Sequence, residues 1–208
     1  MREVPPSAPQ AASILAGGEN RRFPLLKSFI RIGGVPIIER NLLILTGLFR
    51  EVFISTNAPQ EYFHLGVPLV GDVLPSQGPM AGIFSCLINV TAGESIFVAA
   101  CDMPFLNSDV VSLICRRHAE AAAGRPVDVT VPVCHGEPQP LCAVYGTSSL
   151  PHLEEAVLSG KTSLKRFLNE VVTHFVSESE VRSVDPEGLC FVNINTVEDY
   201  EAVAHRPV

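Results

Sequence analysis

Short apolar runs punctuate this chain, with helix-length stretches between most of them. That alternation narrows the possible folds more than any other property of the sequence. The runs are Ala11 to Ala16, Glu51 to Thr56, Pro68 to Val70, Ser95 to Cys101, Val127 to Val133 and Leu141 to Tyr145. Ile37 to Phe49, Pro79 to Val90 and Asn107 to Ala122 are long enough for helices. Strands alternating with helices predict an α/β domain with a mainly parallel sheet and helices on both faces. Runs such as SIFVAAC, with little alternation, suit strands buried on both sides. The C-terminal third is less regular: helices are expected near Leu150 to Leu158 and Ser163 to Val172, a strand around Cys190 to Val192, and a helix from Thr196.

A chain of 208 residues, 47% hydrophobic and 18% charged, can bury one sizeable core and leaves little room for a second. One domain is therefore expected over residues 11–208. Met1 to Gln10, with Pro5, Pro6 and Pro9 in a polar setting, reads as a loose tail. The long apolar stretch PIIERNLLILTGLF is interrupted by Glu39 and Arg40, so neither a membrane span nor a cleavable signal is expected, and the place of work is the cytoplasm. Cys86, Cys101, Cys115, Cys134, Cys142 and Cys190 form no CxxC pair and fall mostly in apolar runs, as reduced core residues do. A net charge of −7 disfavours a protein that grips nucleic acid along its backbone. The positive charge is local: four of the 15 Lys and Arg lie from Arg21 to Arg31, and none lies between Arg50 and Arg116. A small polyanion suits that layout.

The first apolar run empties into LAGGENRRFPLLK, Leu15 to Lys27. Gly17 and Gly18 can take backbone angles closed to other residues and let amides approach a ligand, while Arg21, Arg22 and Lys27 complement several phosphates. The same segment could be a strand-to-helix turn carrying a solvated basic loop. A dinucleotide fingerprint would need a glycine where Arg21 stands. Gly160, Lys161 and Thr162 imitate the end of a P-loop, but Glu155 occupies the first glycine position, and Thr162 suits capping of the next helix. In parallel sheets, ligands collect beyond the carboxyl ends of strands. Ser55 and Asn57 follow the second run, Asp72 the third and Asp102 the fourth. With the basic loop, the carboxylates of Asp72 and Asp102 suggest a Mg2+ bridging phosphate oxygens.

Five motifs taken in order, LAGGENRRFPLLK, GPMAG (Gly78 to Gly82), CDMPFL (Cys101 to Leu106), QPLCAVY (Gln139 to Tyr145) and FVNINTVEDY (Phe191 to Tyr200), resemble the molybdenum cofactor guanylyltransferase family. The resemblance runs from about Ala11 to Val203 and implies a single-domain Rossmann-like nucleotidyltransferase fold. It further implies that the backbone of Leu15, Ala16, Gly17 and Gly18 contacts the nucleotide. Lys27 and Arg22 would act on its phosphates, and Asp102 would hold Mg2+. Ser55 lies at the nucleotide end, Asp72 matches the nucleotide-site aspartate, and Gly78 to Gly82 match the base and ribose wall. Asn193 and Asn195 match a polar pair on the pterin side. The implied substrates are GTP and molybdenum-loaded molybdopterin, with other proteins of molybdenum cofactor biosynthesis as partners.

The chain departs from the family pattern at Pro24, where glycine is usual, and at Leu26, where a polar or acidic residue is frequent. Proline removes an amide donor but sits in a loop, so it is expected to be accommodated. The implied transfer depends on positioning and charge neutralisation, with the acceptor's own phosphate as nucleophile. A cytidylyltransferase, another small-metabolite nucleotidyltransferase and a non-catalytic nucleotide-binding module remain as alternatives. Family cytidylyltransferases tend to show LAAG, whereas Gly17 leaves room for a purine.

Overall fold

The computed structural model describes residues 8–17, 27–74, 78–91, 93–161 and 163–204. Chain order runs β1 (Ala11–Leu15), β2 (Arg31–Ile32), β3 (Val35–Pro36), α1 (Ile37–Leu48), β4 (Glu51–Ser55), β5 (Leu69–Val70), α2 (Pro79–Leu87), β6 (Ser95–Ala100) and α3 (Ser108–Ala122). It continues with β7 (Val129–Cys134), β8 (Glu137–Pro138), β9 (Cys142–Gly146), α4 (Leu150–Leu158), α5 (Leu164–Phe167), β10 (Thr173–Val176), α6 (Glu178–Arg182) and α7 (Val197–Val203). The main sheet has the order β10-β7-β9-β6-β1-β4-β5, with β8 hairpinned onto β7. Pairing is parallel throughout β6-β1-β4-β5 and between β7 and β10; β9 runs antiparallel to both its neighbours. The expected mainly parallel sheet is present.

β1 and β6 are buried along their whole length. Alternate residues point to opposite faces of a strand, and both faces are covered. Ala12 and Ile14 of β1, with Phe97 and Ala99 of β6, pack under Ile38, Leu42 and Leu45 of α1 and Val110, Val111 and Ile114 of α3. Ala11 and Leu15, with Ile96 and Val98, pack under Ile83, Phe84 and Leu87 of α2 and Leu153, Ala156 and Val157 of α4. That two-sided burial explains why these runs lack an apolar–polar alternation. A smaller cluster of Ile30, Ile32, Ile37, Phe105, Ile194 and Val203 joins the C-terminal helix to the segment after Lys27.

Several expectations are corrected. Leu189–Phe191 form a turn of 3-10 helix, not a strand. Gly188 precedes it with φ 68°, and the Asp185 carboxylate accepts hydrogen bonds from the amides of Leu189 (3.1 Å) and Cys190 (2.9 Å), bending the backbone away from an extended path. The helix expected from Ser163 to Val172 is cut to Leu164–Phe167. The Val172 amide instead donates to the buried Asp128 carboxylate at 2.8 Å, and β10 starts at the next residue. Ser163 caps α5, accepting from the Arg166 amide; Thr162, expected to cap it, lies outside the described residues. Ala8 is buried, and the Gln10 carbonyl accepts from the amides of Arg50 and Glu51, so residues 8–10 belong to the folded body. Residues 1–7 of the expected tail lie outside the described residues. All six cysteines are free; five are buried and Cys101 is half-buried. No helix among the described residues is long and apolar enough to cross a membrane.

His118 of α3 is buried against β7, its Nδ1 3.0 Å from the Thr130 hydroxyl. Burial, reinforced by His174, lowers its pKa from 6.5 to about 4. The folded protein therefore binds fewer protons than the unfolded chain between those values, and stability falls as pH drops through that window. Unfolding of the native chain at pH 7 and pH 5 should show about 2 kcal/mol more loss than in His118→Gln. Equal losses in the two proteins would show that another group controls the acid limb.

Candidate active site

From β1 the chain proceeds outward through β4 and β5, then returns to place β6 on the opposite flank of β1. The carboxyl ends of β1 and β6 thus flank the point where strand order reverses, the place where open α/β sheets form a ligand crevice. The Cys101 amide donates to the Leu15 carbonyl at 3.2 Å, and the Ala16 amide to the Ser55 carbonyl at 2.9 Å, carrying the pairing to the crevice lip. Leu15 and Ala16 are buried there and Gly17 is exposed. Gly17 does not have a positive φ, so the expected backbone reason for a glycine does not hold at this position. A Cβ on Gly17 would meet no described atom within 4 Å. Gly18, Arg21, Arg22, Pro24 and Leu26 lie outside the described residues.

Lys27 opens a 3-10 turn that ends at Phe29. The next residue, Ser28, is buried, with its hydroxyl 2.9 Å from the Tyr62 hydroxyl. Tyr62, only 2% exposed, also points its hydroxyl at the Ala16 carbonyl, 3.5 Å away, and stacks on Phe29 with ring centroids 5.4 Å apart. One phenol therefore touches both stems of the loop between Gly17 and Lys27. Tyr62 was not singled out in the sequence, because an aromatic in the irregular segment APQEYFHLG carries no periodic or motif signal.

The Lys27 ammonium donates to Asn195 Oδ1 at 2.7 Å and lies 3.8 Å from Asp102 Oδ2. Side-chain exposures of 23% for Lys27 and 18% for Asp102 put the pair at the crevice wall, partly screened from water. Burial pushes the Asp102 carboxyl above its ordinary pKa, and the Lys27 ammonium opposes that rise. Burial and the Asp102 charge push the neighbouring Cys101 thiol up to about 12, so it stays protonated. Asn195 is held in turn by its own segment. The Ile194 amide donates to the Asp102 carbonyl at 3.0 Å, and the amides of Asn195 and Thr196 donate to Asp199 Oδ2 at 2.8 and 2.9 Å. Thr196 and Asp199 form a reciprocal capping box at the start of α7, a pattern visible in the sequence as T-x-x-D. Those amide donors hold the Asp199 carboxyl below its ordinary range. Asn193 is exposed on the same segment.

The residues expected at the nucleoside end divide into two groups. Asp72 and Asn57 bond reciprocally: Asn57 Nδ2 donates to Asp72 Oδ2 at 2.8 Å, and the Asp72 amide donates to Asn57 Oδ1 at 2.9 Å. Gly78, with φ 141°, stands exposed before Pro79 at the start of α2. Ser55 and Gly82 are instead explained by packing, since a Cβ on Gly82 would lie 2.6 Å from Ser55 Oγ, and both residues are buried.

Asp72 and Asp102 do not share an ion. Their strands, β5 and β6, are separated by β1 and β4, about 14 Å at the usual ~4.8 Å spacing, while Mg2+ holds oxygens at about 2.1 Å. Asp102 alone still offers a hard oxygen donor at the crevice, and Mg2+ commonly takes one carboxylate together with substrate phosphates and waters. Its residues fit the ion on that basis. Among the described residues Cys134, His135 and Glu178 also converge within metal-binding reach. There, however, Arg182 Nη2 already supplies a positive charge, 3.1 Å from Glu178 Oε1 and 3.3 Å from His135 Nδ1.

Comparison with known proteins gives a consistent picture. A family model, the MobA-like NTP transferase domain, matches residues 12–176. A probable molybdenum cofactor guanylyltransferase from Peptoclostridium acidaminophilum is 32% identical over 190 residues, spanning 91% of this chain and 86% of that protein. A molybdenum cofactor guanylyltransferase from Desulfosudis oleivorans is 33% identical over 189 residues, spanning 90% and 91%. The crystal structure of molybdopterin-guanine dinucleotide biosynthesis protein A from Archaeoglobus fulgidus superposes with a TM-score of 0.81 at 26% identity, over 93% of this chain and 96% of that one. With its family pattern, its strand order and its charged crevice in agreement, the chain belongs to the MobA-like NTP transferase family and is a nucleotidyltransferase.

Proposed function

We propose that this chain works in the cytoplasm, transferring GMP from GTP to the terminal phosphate of molybdenum-loaded molybdopterin. The products are pyrophosphate and the guanine dinucleotide form of the molybdenum cofactor. The observation that carries the reading is the Lys27–Asp102 pair at the strand-order reversal, in a chain that resembles molybdenum cofactor guanylyltransferases over nine-tenths of its length. A phosphate oxygen of the acceptor forms a bond to the α-phosphorus of GTP as the bond to the bridging α–β oxygen breaks, and that oxygen leaves with pyrophosphate. An acceptor phosphate is largely dianionic near neutrality, with a second pKa of about 6, so the reaction needs no protein base.

The protein's part is then positioning and charge. Lys27 places its ammonium against the triphosphate, where negative charge shifts toward the leaving group, and a preorganised cation in a partly dry crevice is worth more than one in water. Arg22 is assigned the same work from the family pattern. Backbone groups of Leu15, Ala16, Gly17 and Gly18 would hold the nucleotide, Asp72 and Gly78 its nucleoside end, and Asn193 and Asn195 the acceptor side. Nucleotidyltransferases of this family typically use a divalent metal. Asp102 would hold it as Mg2+, supplying further neutralisation of phosphate oxygens when bound. Gly17, in place of the alanine of the LAAG pattern, supports guanine over cytosine, because it lacks a methyl group that would take volume from a larger purine. The molybdopterin acceptor would be received from other proteins of cofactor biosynthesis.

In a thermal-shift panel with Mg2+, GTP should stabilise the protein more than CTP, UTP or ATP at matched concentration. A larger shift with CTP, or equal shifts with all four, would overturn the guanylyl assignment. Lys27→Ala and Asp102→Asn should each lower pyrophosphate release by roughly a hundredfold, the scale for loss of one preorganised electrostatic group, while the melting transition persists. Near-native release from either purified variant would remove that residue from the catalytic set.

A further inference from the structure

Among the described residues, the shortest contact of the Lys27 ammonium is not with its opposite charge. Asp102 lies at 3.8 Å, beyond an ordinary hydrogen bond, whereas the neutral carbonyl of the Asn195 side chain lies at 2.7 Å. A lysine closed tightly onto Asp102 would cancel both charges at the place where phosphates must be met. A neutral amide accepts one of the three N–H donors, leaves the positive charge intact and fixes a four-carbon side chain that otherwise samples many rotamers. We propose that Asn195 is a positioning residue for Lys27, holding its ammonium beside Asp102 in a phosphate-ready place without neutralising it.

The arm that carries Asn195 is built for that task. Its main chain is pinned to the Asp102 carbonyl through the Ile194 amide and to the Asp199 carboxylate through the amides of Asn195 and Thr196. Ile194 is fully buried among Ile30, Ile32 and Ile37, the residues that follow Lys27 in the chain. The lysine's turn and the asparagine's arm therefore share one apolar footing, and their tips meet over the crevice. This role differs from acceptor contact, and it acts on the nucleotide through Lys27. It rests on the guanylyl-transfer reading only in taking Lys27 as a phosphate ligand.

The test is a double-mutant cycle on the full chain, with GTP and inorganic tripolyphosphate as probes and binding measured by calorimetry without acceptor. Asn195→Ala should weaken both ligands about tenfold, and should cost nothing further in a Lys27→Ala background. Asn195→Asp keeps the size and the accepting oxygen, so a purely structural role would tolerate it. With a carboxylate on the ammonium it should bind tripolyphosphate more weakly than Asn195→Ala does. Additive effects in the cycle, unchanged binding in Asn195→Ala, or native binding in Asn195→Asp would overturn the proposal. Melting curves of each variant establish that folded protein is compared. Failure of the guanylyl-transfer reading looks different: the native chain would then release no pyrophosphate with GTP and molybdopterin, whatever the cycle gives.

Discussion

β1 is buried on both faces and paired on both edges, and the rest of the architecture follows from satisfying that one strand. Its sequence AASIL offers no polar face, so helices must cover both sides of the sheet: α1 and α3 over Ala12 and Ile14, α2 and α4 over Ala11 and Leu15. Its two edges must also be filled, by β4 on one flank and β6 on the other. Filling both from a single chain forces the strand order to reverse at β1. The carboxyl ends of β1 and β6 then flank the crevice where Lys27 and Asp102 meet. Each fully buried aliphatic side chain in that layer contributes about 1.5–3 kcal/mol. The crevice is thus a by-product of a strand packed on both faces and paired on both edges.

The charges at the lip are arranged so that neither is spent before a ligand comes. A carboxylate drawn from water at Asp102 is uncomfortable alone, as its raised pKa indicates, and the nearby ammonium relieves part of that cost. At 3.8 Å the relief is incomplete. Removing one member of a fully buried pair is strongly destabilising, whereas an exposed pair costs little; with side chains 23% and 18% exposed, Lys27 and Asp102 lie between those limits. On the proposed reading, ligand binding exchanges the partners of this pair, with phosphate for the ammonium and a hard cation for the carboxylate. The chain's acidity elsewhere fits the proposed reading, since four of its 15 Lys and Arg lie from Arg21 to Arg31, in the stretch of chain that follows β1.

What could be read from the sequence depended on whether the deciding interaction was local. β1, β6, α1 and α3 were legible because their apolar runs are long and their boundaries carry local signals, such as Asn107, whose side chain caps α3. The turn at Leu189–Phe191 and the short α5 were not, because single buried carboxylates decide them: Asp185 at close range in the chain, Asp128 from 44 residues away. Both bind backbone amides that the local pattern would assign to a strand or a helix. The site shows the same division. Gly17, Lys27 and Asp102 could be named from motifs, but the Lys27–Asn195 contact spans 168 residues and no spacing rule reaches it. Asp72 and Asp102 looked like neighbours only because they end successive strands, an adjacency that the reversed strand order removes.

The glycines of the nucleotide motifs show how one residue type conceals three different constraints. Gly82 is fixed by packing, since Ser55 Oγ occupies the place its Cβ would need. Gly78 is fixed by its backbone, because φ 141° is a conformation that side chains rarely permit. Gly17 meets neither demand: its φ is not positive, and the space above it is clear of described atoms. Among the described residues nothing would clash with an alanine at position 17 or strain it, so on the proposed reading the choice of glycine falls to the ligand. Position 17 is thus set apart from the other two glycines, which packing and backbone conformation already fix. On the proposed reading, a change of base preference would be made there, beyond the end of β1 and outside the packed layers that cover the sheet.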